Sequence, residues 1–288
     1  CLWAGRVLQS GREGGWAVEL REILYEVGDD GVAVITLNRP ERMNAFTARM
    51  IDEWAWAIEQ ARDDDRVRAG IVTGAGNRAF CAGMDGQQGA AGEGVLRTTS
   101  AGPAERRNSL RYGVHKVPRA LMLLDKPYVA AVNGVAVGAG MDMASMADIR
   151  FAADTARFGM AYVRMGIIPG DGGCYFLPRL VGIARALELI WTGDLFDARQ
   201  ALEWGYVSRV YPADELMKET RAFAARLAEG PAVAIQLAKR LLYRSLETDL
   251  DHALDLAQSA MVIAQSTEDA VEGPRAFVEK RKPVFKGR

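Results

Sequence analysis

Residues 128–142 read YVAAVNGVAVGAGMD, and the architecture of the chain turns on them. Tyr128 to Val132 is a short apolar run rich in β-formers, the pattern of a buried strand. Asn133-Gly134 marks a turn, and Gly138 to Met146 is a glycine-rich opening into a helix. Asp148 to Ala153 is again a strand. A strand, a glycine turn, a helix and a second strand in succession predict an α/β fold.

The same alternation extends upstream. Residues 23–37, ILYEVGDDGVAVITL, read as a hairpin around Asp29-Asp30-Gly31. Asn38-Arg39-Pro40 breaks the chain. From Thr47, Met50, Ile51, Trp54 and Ile58 recur at helical spacing until the charged run Arg62 to Arg66. Ala69 to Thr73 is a buried strand closed by Gly74-Ala75-Gly76. Residues 81–103 read as a mobile loop, followed by one long helix over about 105–124. Downstream, Ile167 to Gly173 is a Pro/Gly loop. Helices are predicted at 174–181, 184–192, 197–204, 213–229, 231–247, 249–265 and 267–280. The expected organisation is an extension outside the fold at 1–21, a core at 22–204 and an all-helical region at 205–288.

Composition narrows the function. Of 288 residues, 49% are apolar and 25% charged, which excludes disorder as the main state. Thirty-six basic and 37 acidic side chains give a net charge of −1, against a surface built wholly for nucleic acid or membrane. The longest uncharged stretch, Pro127 to Met141, holds Asn133 and three glycines and is too short and polar to span a bilayer. Cys1, Cys81 and Cys174 are odd in number and far apart, the usage of a reducing, cytoplasmic compartment. His115 and His252 are the only histidines, so no metal site is expected. A GxSxG elbow is absent.

Three glycine-bearing segments remain as candidates for chemistry. They are Ala79-Phe80-Cys81-Ala82-Gly83-Met84-Asp85, Asn133 to Asp142, and Gly166-Ile167-Ile168-Pro169-Gly170-Asp171-Gly172-Gly173. Small residues at strand-to-helix junctions let a ligand approach backbone N–H groups. Two such junctions can aim two donors at one developing oxyanion. Tight turns and small-residue packing explain the same residues equally well. Gly138-Ala139-Gly140 with Ala144 is also a loose dinucleotide fingerprint, but Asn133 to Val137 separate it from the strand end.

Taken together, the segments resemble the crotonase superfamily, the enoyl-CoA hydratase/isomerase family, over about residues 22–288. Leu37-Asn38-Arg39-Pro40 with Asn44-Ala45, Thr73-Gly74, Ala79 to Gly83 and Asn133 to Asp142 carry the resemblance. So do Ala147-Asp148-Ile149, Phe158-Gly159, Gly166 to Pro169, Thr192-Gly193 and Ala276 to Lys282. It implies a crotonase (ClpP-like) ββα spiral with a C-terminal helical trimerisation region. The implied substrate is a coenzyme A thioester, with no permanently bound cofactor and a homotrimer or dimer of trimers as the assembly. By position, the backbone N–H groups of Met84 and Ala139 form the oxyanion hole, with Ala139 in place of the usual glycine. Ala82, Gly83, Asp85, Gly138 and Gly140 line the substrate site, and Phe277 and Lys280 reach the CoA end.

The hydratase pattern carries two glutamates. The first falls on Asp142, one methylene shorter, and the second on Tyr162, where the carboxylate is lost. Hydration needs one group to activate water and another to protonate carbon, so this departure weakens the hydratase reading. Asp171 in Pro169-Gly170-Asp171-Gly172 resembles an acid/base aspartate of crotonase-like carbon–carbon hydrolases. It reads equally as a cap on the following helix. The expected activity is enolate-stabilising acyl-CoA chemistry with Asp142, Asp171 and Tyr162 as catalytic candidates. The alternatives are a carbon–carbon hydrolase and a non-catalytic acyl-CoA-binding paralogue. His115 and Tyr112, on the helix after the loop, are secondary candidates for walling the acyl pocket.

Overall fold

The hairpin read at 23–37 opens the larger of two sheets. β1 (Ile23–Val27) and β2 (Val32–Leu37) pair antiparallel, Ile23 opposite Leu37. Every later pairing in this sheet is parallel, in the order β1-β2-β3-β5-β7-β10, with β3 (Ala69–Gly74), β5 (Tyr128–Val132), β7 (Ile149–Ala153) and β10 (Arg209–Tyr211). This computed structural model describes residues 19–85 and 102–288. The extension read at 1–21 lies almost wholly outside them, as does most of the 81–103 loop.

The strands of the second sheet, β4-β6-β8-β9, were not readable from the residue pattern. They are Ala79–Cys81, Val135–Val137, Arg157–Gly159 and Leu195–Asp197. Three residues are too few to display a period of two, so hydropathy gave no sign of them. The chain visits the sheets in alternation: β3 then β4, β5 then β6, β7 then β8, with helices between. Each turn of this ββα spiral brings a glycine-bearing corner to the same junction. Two side-chain amides brace it, one buried and one half-buried. The Asn44 side chain accepts from the Arg39 N–H (3.0 Å) and donates to the carbonyls of Ala75 (3.0 Å) and Ala79 (2.8 Å). Asn133 exchanges hydrogen bonds with both N–H and C=O of Gly74.

The larger sheet is covered on both faces, which is why its strands read as unbroken apolar runs. On one face, α1 (Ala48–Asp63) buries Met50, Ile51, Trp54 and Ile58, and Trp54 Nε1 donates to Tyr128 Oη at 3.0 Å. Thr47 caps α1 through the Met50 N–H. On the other face, Val32, Ile71, Val129 and Phe151 pack with Leu216, Ala224 and Ala228.

Two expectations are corrected. The single helix over 105–124 is two, α2 (Pro103–Tyr112) and α3 (Lys116–Met122), broken at Gly113 (ψ −115°). Glycine is the weakest interior helix former after proline, and the break lets the His115 ring bond the Gly170 carbonyl (2.8 Å). The region from 205 is not all helical, because β10 completes the larger sheet beside β7. The remaining helices among the described residues are α4 (Ala139–Ser145), α5 (Gly173–Val181), α6 (Ile183–Thr192), α7 (Ala198–Glu203), α8 (Leu216–Ala228), α9 (Ala232–Ser245), α10 (Leu250–Gln265) and α11 (Glu268–Val278). Among the described residues no helix is long and apolar enough to cross a membrane.

Candidate active site

Two backbone segments meet where the sheets join. After β4 the chain runs through Ala82 and Gly83 to Met84, which bridges Phe46 in parallel fashion. The Gly83 carbonyl accepts from the Phe46 N–H (2.8 Å), and the Asp85 N–H donates to the Phe46 carbonyl (3.0 Å). Flanking residues make both bonds, so strand geometry turns the N–H of Met84 itself to the opposite edge. The second segment is the start of α4. Gly138 is its N-cap at φ 53°, a conformation that disfavours a side chain, and its N–H donates to the Gly159 carbonyl (2.8 Å). Ala139 and Gly140 are the first two helical residues, whose N–H groups have no partner within a helix. Ala139 lies outside the left-handed region, so its methyl group brings no backbone strain.

The two segments touch. A Cβ placed on Gly83 (φ 91°) would lie 3.1 Å from the Val137 carbonyl oxygen and 3.5 Å from the Ala139 nitrogen. A methyl group on Gly140 would fall inside van der Waals distance of the Cys81 carbonyl oxygen. Arg39 fixes the outer side: it donates to the Asp85 carboxylate (2.9 Å) and the Ala45 carbonyl (2.6 Å), residues adjacent to Met84 and Phe46. Arg39 stood in a quoted motif, yet its pairing with Asp85, 46 residues on, left no local sign in the sequence.

One turn beyond Ala139, Asp142 is fully buried. Tyr162, carried by the 3₁₀ turn Ala161–Met165, places its hydroxyl 2.6 Å from Asp142 Oδ2 and 2.9 Å from Asp171 Oδ2. The three residues named as catalytic candidates therefore form one cluster. Asp171 is not the cap of α5: Gly172 is, and no side chain caps that helix. Nor, among the described residues, is Asp142 paired with an arginine. Buried Arg150 directs its donors to the carbonyls of Ala147 and Tyr206. Asp142 Oδ1 completes no hydrogen bond among the described residues. It packs so tightly on Gly173 that a side chain there would strike it.

Burial dominates the electrostatics. It pushes the Asp142 carboxyl up to about 8. The Tyr162 hydroxyl and the N–H groups of Gly173 and Asp171 offset this in part, while the charge of Asp171 adds to it. Asp171 is also raised by burial, less the pull of Tyr162 and His115. Tyr162 is driven far above the ordinary phenol range by burial and both carboxylates, so it stays protonated. Cys81 is a buried filler whose thiol burial pushes up to about 12. Tyr112 is 63% exposed.

Phe277 and Lys280 lie at the other end of the chain's ordered elements. Phe277 is 85% exposed on α11. Lys280 (φ 53°) sits just past the helix, where the Arg281 N–H bonds the Ala276 carbonyl (3.1 Å) and the Lys280 N–H that of Phe277 (3.2 Å). This is a Schellman turn with lysine where glycine is usual. Arg281 pairs with Glu272 and Glu279, and Lys282 with Glu229.

Two short sheets wound as a ββα spiral around such a junction define the crotonase fold, a class of enzymes. The profile described as enoyl-CoA hydratase/isomerase matches residues 28–288, and the chain belongs to that family. It is an acyl-CoA-processing enzyme of the hydratase/isomerase type. It is 38% identical to the short-chain-enoyl-CoA hydratase of Clostridium acetobutylicum over 92% of this chain and 97% of that one. To the 1,2-epoxyphenylacetyl-CoA isomerase of Escherichia coli it is 37% identical, over 93% of this chain and all of that one. Among solved structures it is similar to the enoyl-CoA hydratase of Bacillus anthracis, with a TM-score of 0.86 and 32% identity over 93% of this chain and 100% of that one.

Proposed function

We propose that this enzyme isomerises an unsaturated acyl-CoA, moving a proton along the acyl chain through an enolate. The Met84 and Ala139 N–H groups hold the thioester oxygen, and Asp142 carries the proton. Ala82, Gly83, Asp85, Gly138 and Gly140 shape the walls of that hole. One observation supports the choice above others: the group facing Asp142 is the Tyr162 hydroxyl, not a second carboxylate. Hydration divides its proton transfers between two groups, whereas a shift of a double bond needs one group that takes a proton and returns it. Tyr162, held protonated, activates no water. No permanently bound cofactor is needed for this step.

The test compares trans-3-hexenoyl-CoA with crotonyl-CoA in ¹⁸O-labelled water. Isomerisation of the first is expected to exceed hydration of the second by roughly 100-fold, the contribution of one missing acid–base group. Brisk ¹⁸O incorporation into 3-hydroxybutyryl-CoA would sink the proposal. Cleavage of a β-diketo-CoA would favour hydrolysis, which the Asp171 carboxylate beside Tyr162 also permits. Binding without turnover of any of these would leave an acyl-CoA-binding protein.

We also assign the last helices to assembly and to the CoA end. α9 buries none of its residues fully, and Leu242, Leu246, Leu250, Leu254, Met261 and Ile263 are more than half exposed. A homotrimer, alone or doubled, covers such a surface, and sedimentation at micromolar concentration checks it. Lys280 takes the phosphates of CoA, with Phe277 beside it. A lysine in the left-handed region costs about 1 kcal/mol relative to glycine. Lys280→Gly is therefore expected to raise the melting temperature while raising KM for CoA substrates about fivefold, an effect that shrinks at high salt. If the variant is more stable with unchanged KM, Lys280 is only a charged end.

A further inference from the structure

The Tyr162 hydroxyl has one proton and two carboxylates within hydrogen-bonding distance, at 2.6 and 2.9 Å. It can donate to only one of them. The other contact is a hydrogen bond only if that carboxyl brings a proton of its own. The cluster thus holds two protons and one negative charge among three buried groups. Asp142 has no exposure and, among the described residues, no cation acting on it, while Asp171 keeps 7% exposure and feels His115. The charge settles on Asp171 and the extra proton on Asp142 Oδ2, in line with the strongly raised carboxyl of Asp142. A protonated Asp142 is a poor base by itself. Its second oxygen, Oδ1, is buried and completes no hydrogen bond among the described residues.

We propose that Tyr162 and Asp171 form a proton relay to Asp142, so that the base driving enolate formation is the Asp171 carboxylate acting through two neutral groups. The substrate C2–H bond breaks and an Oδ1–H bond forms on Asp142. Its Oδ2 proton passes to the Tyr162 oxygen as the Tyr162 proton passes to Asp171. The electron pair of the C–H bond goes into the enolate, and no charge is created on Asp142. Reversal of the relay protonates C4 and completes the double-bond shift. The substrate hydrogen itself stays on Oδ1 and returns to the acyl chain, while the two relay protons, those of Asp142 Oδ2 and Tyr162, exchange with water at the more exposed Asp171 end. This rests on the isomerase reading above and extends it: two solvent-derived protons move together with the hydrogen that leaves C2.

The test turns over trans-3-hexenoyl-CoA in mixtures of ordinary and heavy water. The dependence of kcat on the deuterium fraction of the solvent reads how many solvent-derived protons move with the C2 hydrogen. Wild type is expected to show a solvent isotope effect with a bowed dependence, from the Asp142 and Tyr162 protons together. Tyr162→Phe cuts the relay, and Asp171→Asn removes its terminal base. In both, turnover falls and the solvent isotope effect falls towards one. A merely structural loss lowers kcat without changing that effect. In parallel, infrared spectroscopy at neutral pH reads the C=O stretch of a protonated carboxyl. The band is expected in wild type and Asp171→Asn and absent in Asp142→Asn. An equal solvent isotope effect in wild type and both variants overturns the relay, as does a band that is missing in wild type or survives in Asp142→Asn. Failure of the isomerase reading gives a different result, in which wild type forms no 2-hexenoyl-CoA. The infrared band then decides the relay alone.

Discussion

Asp142→Asn is expected to lower kcat by at least about 100-fold on the best acyl-CoA substrate, the usual contribution of a positioned acid–base group. The amide keeps the shape of the side chain, so CoA ligands still bind. The same substitution should stabilise the fold in a pH-dependent way. The carboxyl of Asp142 is raised from 3.8 to about 8 on folding. Between those values the folded chain binds the proton that the unfolded chain has released. The stability contributed by Asp142 is therefore full below about pH 4 and is lost as pH rises towards 8. An asparagine does not titrate, so the melting-temperature gain of the variant should grow between about pH 5 and pH 8 and then level off. Unchanged kcat would remove Asp142 from the chemistry. A gain independent of pH would mean that the carboxyl is not held protonated by the fold.

The second large effect belongs to Gly140→Ala. A methyl group there collides with the Cys81 carbonyl, backbone against backbone, and neither side can swing away. The collision lies between the strand leading to Met84 and the helix that starts at Ala139. Relief requires the two N–H groups to separate. Loss of one oxyanion donor costs about 10²–10³ in kcat, and overpacking costs about 1–3 kcal/mol of stability. Gly182→Ala is the control. Gly182 (φ 76°) has open space around it and strains only its own backbone. It should cost about 1 kcal/mol and leave kcat intact. If Gly140→Ala loses stability alone, like Gly182→Ala, the two N–H groups do not act as a pair.

How far the sequence could be read depended on the range of the interaction. β2, β3, β5 and α1 were legible because each is long enough to display its period and is closed by a glycine, proline or cap. The glycine corners were legible because a close backbone approach excludes side chains. Gly83 and Gly140 show that requirement directly. The smaller sheet was not legible, since its three-residue strands exist only through their pairing with one another. The break at Gly113 was masked by helical composition on both sides. Asp142, Tyr162 and Asp171 were each singled out, but not their meeting. Tyr162 is 20 residues from Asp142 and nine from Asp171, and a 3₁₀ turn and a Pro/Gly loop fold between them. Asp171 read equally as a cap and as an acid/base group, because caps are local and common, whereas its partner is a tyrosine across the turn. Gly173 was quoted as part of a turn, yet its lack of a side chain makes room for the Asp142 carboxylate.

The Tyr162 hydroxyl between two carboxylates also constrains the order in which this site can change over evolution. A glutamate at position 162 would give the pair of acids that the hydratase pattern carries. Placed here, it would bury a third carboxyl against Asp142 and Asp171, which already resist ionising together. That intermediate loses the phenol that joins the two aspartates and gains a repulsion in its place. A lineage moving between this site and a two-glutamate site therefore has to exchange Asp171 first, or both positions at once. Tyrosine at 162 and aspartate at 171 should be inherited as a linked pair, and descendants holding glutamate at 162 should have lost the acid at 171.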